Sequence, residues 1–349
     1  FQKFDQSKMS GAGNRIVLIF GLFVLGVLLY SAYWHYLARS APKWVHEYTE
    51  AWRRQNIEAN FSQVNVSGYP YRLEVSLDDI KARFATNLNH VALAMPNVRL
   101  TAHPWNLKHW VGVSRAPSHT MIGLGERALG VQVGRSRASL VLGKQMRTER
   151  FSLEMNDLVL QSVSGQAFGA LDQLQVHLRN IPSAVLSRDI GILADNVSVR
   201  NIGIAQQSFD IDGLVMEAKL SGPTLIGWDV ASLNRWRASG GILEIQNLQV
   251  SAGGLGVVFS GTIALDALFR PIGAGTVVID GYRGVLETFY SSGLINNVAK
   301  AAAILTLDLL STMSEETGQR SVEAPISVQD GVLSVGPVAL MEVSPVIVP

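Results

Sequence analysis

The chain contains no cysteine among its 349 residues, which excludes disulfide frameworks, zinc-thiolate and iron-sulfur sites, and thiol nucleophiles together. Charge is also scarce. Only 16% of residues are Asp, Glu, Lys or Arg, against roughly 25% in an ordinary soluble chain. Lys and Arg number 29 and Asp and Glu 28, so no net charge is available to hold nucleic acid, and no such partner is expected. Proline is modest at 12 and glycine high at 32, a balance that suits short strands and tight turns better than helical bundles. With 48% hydrophobic residues the chain can bury a core, and disorder is excluded as its main state.

Chemistry-bearing motifs are missing as well. The sequence has no GxSxG elbow, no GxxxxGK[ST] loop, no HExxH, and no carboxylate cluster beyond Asp78-Asp79. Gly123, Gly125 and Gly130 lack dinucleotide-fingerprint spacing and read as a loop. His103, His109 and His119 are the densest imidazoles, but no acidic ligand lies in that stretch and Lys108 would repel a cation. Asp308 sits in an otherwise apolar helical run and is a candidate buried acid, with a solvent-facing position at the helix edge favoured. No catalytic residue, metal site or cofactor is expected, and the chain does not read as an enzyme.

What is present begins with an uncharged apolar run over residues 16–33. At about 1.5 Å per residue it is long enough to cross a bilayer. Tyr30, Tyr33, Trp34 and Tyr36 at its far end are the residue types that sit at headgroup depth. The alternative is a cleavable signal with small residues at Ala38 and Ser40, but the apolar run is longer than such a segment needs. Lys3, Lys8 and Arg15 precede the span while Arg39 and Lys43 follow it, which favours a cytoplasmic amino terminus and an exported body.

After the span, Pro42 is expected to start a juxtamembrane helix reaching about residue 59, with Trp44, Tyr48 and Trp52 along one face. From residue 61 the period changes to two, the mark of half-buried strands. Tyr71, Leu73, Val75 and Leu77 alternate with polar residues, as do Val91, Leu93 and Met95, then Phe151, Leu153 and Met155, then Leu158 and Leu160. Segments 174–178, 242–250 and 257–265 follow the same pattern. A weak repeat at 152–165, 192–205 and 241–254 leads apolar residues into an Asn and then an alternating strand. Apolar residues at helical spacing return over 285–290 and 294–313, before alternation resumes at 330–340. The expected organisation is a cytoplasmic segment at 1–15, an anchor at 16–36, a helix at 37–60, an antiparallel β-rich domain at 61–283, and a helix pair with final strands at 284–349.

Charge is distributed unevenly, +7 over residues 69–150 and −5 over 284–349. The basic half reads either as a surface for anionic headgroups or as strand faces complementing the acidic end.

Gly68-Tyr69-Pro70-Tyr71-Arg72, placed after an apolar span and a Trp-rich helix, resembles the alphaproteobacterial domain-of-unknown-function family 2125. Further likeness lies in Gly261-Thr262-Ile263-Ala264-Leu265-Asp266, in Arg270-Pro271, and in the stretch from Asp330-Gly331 through Gly336-Pro337. The last two are also similar to the C-terminal end of AsmA-like proteins. The resemblance implies a single-span protein whose long, curved, groove-like antiparallel sheet carries an apolar inner face of the type that holds or moves phospholipid. It transfers no catalytic residues. The expected groove lining is Leu73, Val75, Leu77, Leu153, Met155, Leu158 and Leu160, the expected docking stripe Trp44, Tyr48 and Trp52. The expected partners are membrane lipids, with a larger inner-membrane protein complex as the alternative in which the protein is a structural subunit. The expected location is the bacterial inner membrane, with the bulk of the chain in the periplasm.

Overall fold

The computed structural model describes residues 7–54, 57–85, 90–123, 128–181, 187–202, 207–223, 230–291, 296–313, 320–336 and 338–347. One helix, α1 (Ser7–Arg53), leads into a single antiparallel sheet of 18 strands. The first half contains β1 (Ile57–Asn60), β2 (Gln63–Ser67), β3 (Leu73–Ala85), β4 (His90–His103), β5 (Asn106–Ser114), β6 (Ser118–Ile122) and β7 (Leu129–Leu142). The longest strands follow: β8 (Thr148–Ser162), β9 (Ala167–Ile181), β10 (Ser187–Ile202) and β11 (Gln207–Ser221). After a short helix, α2 (Val230–Ala238), come β12 (Ile242–Ala252), β13 (Leu255–Leu265) and β14 (Pro271–Asp280). The chain ends with α3 (Tyr282–Ser291), α4 (Asn297–Leu310), β15 (Thr312–Met313), β16 (Arg320–Gln329), β17 (Val332–Val335) and β18 (Val338–Glu342). Neighbours in the chain are neighbours in the sheet, with three variations. Strands β1 and β2 share β3, strands β5 and β6 both lie between β4 and β7, and β14 pairs with β16.

The expected break at Pro42 does not occur. Helix α1 runs through Pro42 to Arg53, and β1 already begins at Ile57 where the helix was expected to continue. An interior proline gives up a hydrogen bond and costs about 3 kcal/mol. Against that, Leu37 and Ala41 on α1 close over Leu73 and Val75 of β3, with Trp44 and Val45 packed beside them. Burying a leucine or valine side chain contributes about 1.5–3 kcal/mol, and the burial of Leu37, Leu73 and Val75 together is enough to keep the helix continuous. Helix α2 was not foreseen within the strand-rich stretch. It is fastened by Trp236 Nε1 donating to the Ser221 carbonyl at 2.9 Å, and Leu233 packs with Phe269 and Ile347. The helices expected near 285–313 are α3 and α4; Leu294 lies outside the described residues, and Met313 belongs to β15.

The long strands do not alternate strictly. In β8 the apolar side is formed by Phe151, Leu153 and Met155 and then, one residue out of phase, by Leu158 and Leu160. Register carries the set across the sheet: Met155 faces Ser136 and Leu174, while Leu158 faces Val133 and Leu171. Between them Asn156 and Asp157 both point to the polar side. Asn156 donates to Glu154 at 3.3 Å, Asp157 accepts from Arg135 at 3.4 Å, and Asp157 has φ 57°. A left-handed residue at this point turns two successive side chains to the same face while the pairing register is kept, and a short acidic or amide side chain tolerates that conformation.

Asp79 in β3 and Asn196 in β10 repeat the device, each with φ 50°. On the neighbouring strands the same level is held by Pro96, Gly134, Asp172 and Asp212. The short strands β1/β2 and β5/β6 are interrupted at that level, at 61–62 and 115–117. A polar seam therefore crosses the sheet from β1/β2 to β11, and it keeps the apolar residues of both halves on one face.

Candidate functional site: the apolar sheet face

Among the described residues, buried apolar side chains gather into two clusters, one under α1 and one at α2 with the β13–β14 turn. Between the clusters the apolar rows are largely half-buried. Leu153, Met155, Val131, Leu160, Leu174 and Val176 all remain partly accessible on one side of the sheet, although Val133 and Leu158 are buried. The total accessible surface is 23087 Å², against about 14,000 Å² for a compact monomer of this mass. The exposed apolar part of α1 and the half-exposed apolar rows of the sheet both contribute to the excess.

The expected lining residues divide accordingly. Leu73 and Val75 are buried beneath α1 and Leu77 packs against that cluster, so these three belong to the helix–sheet core rather than to an open face. Leu153, Met155 and Leu160 share the open side, and Leu158 lies buried in the same row just past the seam. Of the docking stripe, Trp44 packs into the α1 cluster while Tyr48 and Trp52 are exposed.

The opposite face is a hydrogen-bonded polar ladder. Gln173 donates to Glu154 at 3.2 Å and to Asn156 at 3.3 Å, and Gln175 donates to Gln173 at 3.1 Å. Two shallow depressions of about 340 and 290 Å³ lie on this face, lined in part by Arg150, His177, Arg179, Arg135 and Arg137.

No group of His, Asp and Glu able to hold a metal occurs among the described residues. His103 stacks on Trp105 with centroids 4.8 Å apart, and His109 Nε2 lies 3.1 Å from Ser139 Oγ. Gly130 is inside β7 rather than in a loop, and Gly125 is outside the described residues. Asp308 is partly buried, not free at a helix edge: it accepts from the Tyr282 hydroxyl at 2.6 Å and pairs with the Arg283 guanidinium. That hydrogen bond and the Arg283 charge hold its carboxyl below the usual carboxylate range. The cluster ties α3 to α4.

The C-terminal motifs form a staple between turns. Asp266 Oδ1 accepts the amides of Leu268 at 2.8 Å and Arg270 at 2.9 Å, and Arg270 Nε donates to Asp266 Oδ2 at 2.7 Å. Arg270 then donates to the Asp330 carbonyl at 2.8 Å, joining the β13–β14 and β16–β17 turns. Partial burial pushes the Asp266 carboxyl up, but the Arg270 amide and guanidinium outweigh it and hold it below its ordinary value.

The seam and the turns at α1 are features that sequence reading missed. The signal for the seam was there, since polar pairs such as Asp78-Asp79, Asn156-Asp157 and Asp195-Asn196 mark each place where apolar parity slips.

Fold and site together define a single-sheet β protein with an N-terminal helix long and apolar enough to cross a membrane, none of whose most apolar window is buried. The chain belongs to the DUF2125 family of uncharacterized proteins conserved in bacteria, whose profile matches residues 34–343. No curated protein and no solved structure matches it, and the AsmA-like similarity of its C-terminal strands has no support from these comparisons.

Proposed function

We propose that α1 anchors the protein in the bacterial inner membrane with the sheet in the periplasm, and that the apolar face lines a groove that binds or relays phospholipid acyl chains without catalysis. The observation that supports this reading is the continuous apolar face, kept in phase across the seam and left half-exposed between its two packed ends. A strand such as β8, of 15 residues, spans about 50 Å, longer than an extended acyl chain. A chain of about 16 carbons laid along it gains on the order of 12 kcal/mol gross, much of it offset by ordering and by extraction from the bilayer.

The test is a photocrosslinking amino acid at Leu153 or Met155 in the full chain in native membranes, with Gln175 on the polar face as control. Phospholipid adducts at 153 and 155 above the level at 175 are expected; equal levels at all three would overturn the groove. A second reading, a structural subunit of a membrane complex, draws on the exposed Tyr48 and Trp52 of α1. It predicts a discrete protein adduct from those positions and no lipid from 153 or 155.

A further inference from the structure

Helix α1 does not leave the bilayer before it meets the sheet. From Arg15, about 20 residues cover a hydrocarbon core of roughly 30 Å, which ends near His35. The contacts between helix and sheet begin earlier, in the last turn and a half of that stretch. The Tyr30 hydroxyl donates to the Pro70 carbonyl, the Ser31 and Tyr69 hydroxyls lie 2.8 Å apart, and Tyr33 donates to the Pro104 carbonyl at 2.9 Å. Trp34 Nε1 donates to the Arg72 carbonyl at 3.0 Å, and Tyr69 is packed edge-on to Trp34 and stacked on His35. The β2–β3 and β4–β5 turns are therefore held at the depth of the membrane interface by the helix that sets that depth.

These turns carry the side chains the interface favours. Tyr69 is 48% exposed, Tyr71 74% and Trp105 64%. Gly68, with φ 102°, closes the first turn where a Cβ would meet Arg72 at 2.7 Å, so Tyr69 and Tyr71 are presented by a tight rather than a loose segment. The next turn along this end belongs to β7–β8: register pairs His109 with Val141, which carries the β4–β5 turn alongside exposed Lys144 and Arg147. Aromatic rings with adjacent cations suit phospholipid carbonyls and anionic headgroups.

We propose that Tyr69, Tyr71 and Trp105 form a second membrane contact that seats this end of the sheet in the phospholipid headgroups of the leaflet from which α1 emerges. The occupant is the bilayer surface itself. The contact fixes this end of the sheet relative to the lipid. The inference rests on the spanning reading of α1 and is separable from lipid binding on the sheet.

The absence of cysteine makes the test direct. Single cysteines at Leu25, Tyr48, Tyr71 or Trp105 are spin-labelled in the full chain in mixed phosphatidylethanolamine and phosphatidylglycerol vesicles. Accessibility to oxygen and to a soluble nickel chelate then reports depth. The oxygen-to-nickel ratio at 71 and 105 is expected to exceed that at 48 severalfold and to stay below that at 25, as headgroup depth requires. A high ratio at 25 with values at 71 and 105 equal to 48 overturns the contact and leaves the anchor standing. A low ratio at 25 overturns the anchor and the contact with it. Tyr71 and Trp105 are mostly exposed, so the labels leave folding intact.

Discussion

Replacing Asp157 tests whether the seam is a conformational device. Asp157 has φ 57° in the middle of β8 and a 3.4 Å pair with Arg135, both side chains about two-thirds exposed. An exposed pair of that kind contributes roughly 0–1 kcal/mol, so Asp157→Asn should be near neutral. Asp157→Gly removes the left-handed penalty but adds about 0.5–1 kcal/mol of backbone entropy, leaving it near neutral too. Asp157→Val must hold a β-branched residue left-handed, at about 1–2 kcal/mol. Straightening the strand instead would turn Leu158 and Leu160 to the polar face at about 1.5–3 kcal/mol for a fully buried side chain, so the strained form is the cheaper outcome. Gly134, opposite, adds an independent check. A Cβ there would lie 2.9 Å from Asp157 Cβ, and overpacking of this kind costs about 1–3 kcal/mol. That cost should largely vanish in the Asp157→Gly background, a coupling of about 1 kcal/mol. Urea unfolding of the full chain in detergent, followed by circular dichroism, reads all five variants. If Asp157→Val matches Asp157→Gly within about 0.3 kcal/mol, or Gly134→Ala costs the same in both backgrounds, the seam is not held by left-handed backbone.

Other consequences are simpler. Leu73→Ala, at a fully buried position under α1, should cost about 2–5 kcal/mol, whereas Leu153→Ala on the open face should cost distinctly less; the same unfolding assay separates them. Trp44→Ala should lower the melting temperature and Tyr48→Ala leave it unchanged, because only Trp44 packs against the sheet. The carboxyls of Asp308 and Asp266 sit below their ordinary value of 3.8, so the stability they add is complete above that pH and lost as pH falls through their folded-state values. Asp308→Asn should therefore lower the melting temperature at neutral pH and flatten the acid limb of a stability-versus-pH profile. Arg270→Ala should loosen the two turns it joins, seen as faster exchange of the backbone amides at positions 268 and 270.

Much of the architecture was legible because alternation is a local signal. Residues 151–155, 174–178 and 257–265 each wrote their strand into a few positions, and 16–33 wrote an uncharged helix. Reading 151–155 and 158–160 as two strands was the natural consequence of a parity slip whose cause, a left-handed Asp157, is a backbone dihedral and not a composition. Pro42 misled for a related reason. Its intrinsic cost is local, while the contacts of Leu37 and Ala41 with Leu73 and Val75 that offset it come from residues more than thirty positions away.

The sequence alone settled an apolar N-terminal helix, an antiparallel β body and the lack of thiol chemistry, because each depends on residue type and spacing along a short stretch. Only tertiary structure decided which apolar residues stay open. Leu73, Val75 and Leu77 have the same alternation as Leu153 and Met155, yet α1 lies over the first three and no described element closes the other two into a packed cluster. Burial is a property of what covers a side chain, and covering is set by segments far apart in the chain. The docking of the turns that carry Tyr69, Tyr71 and Trp105 on Tyr30, Tyr33 and Trp34 is of the same kind. Three aromatics scattered in sequence come to one end of the sheet only when the helix is folded against their turns.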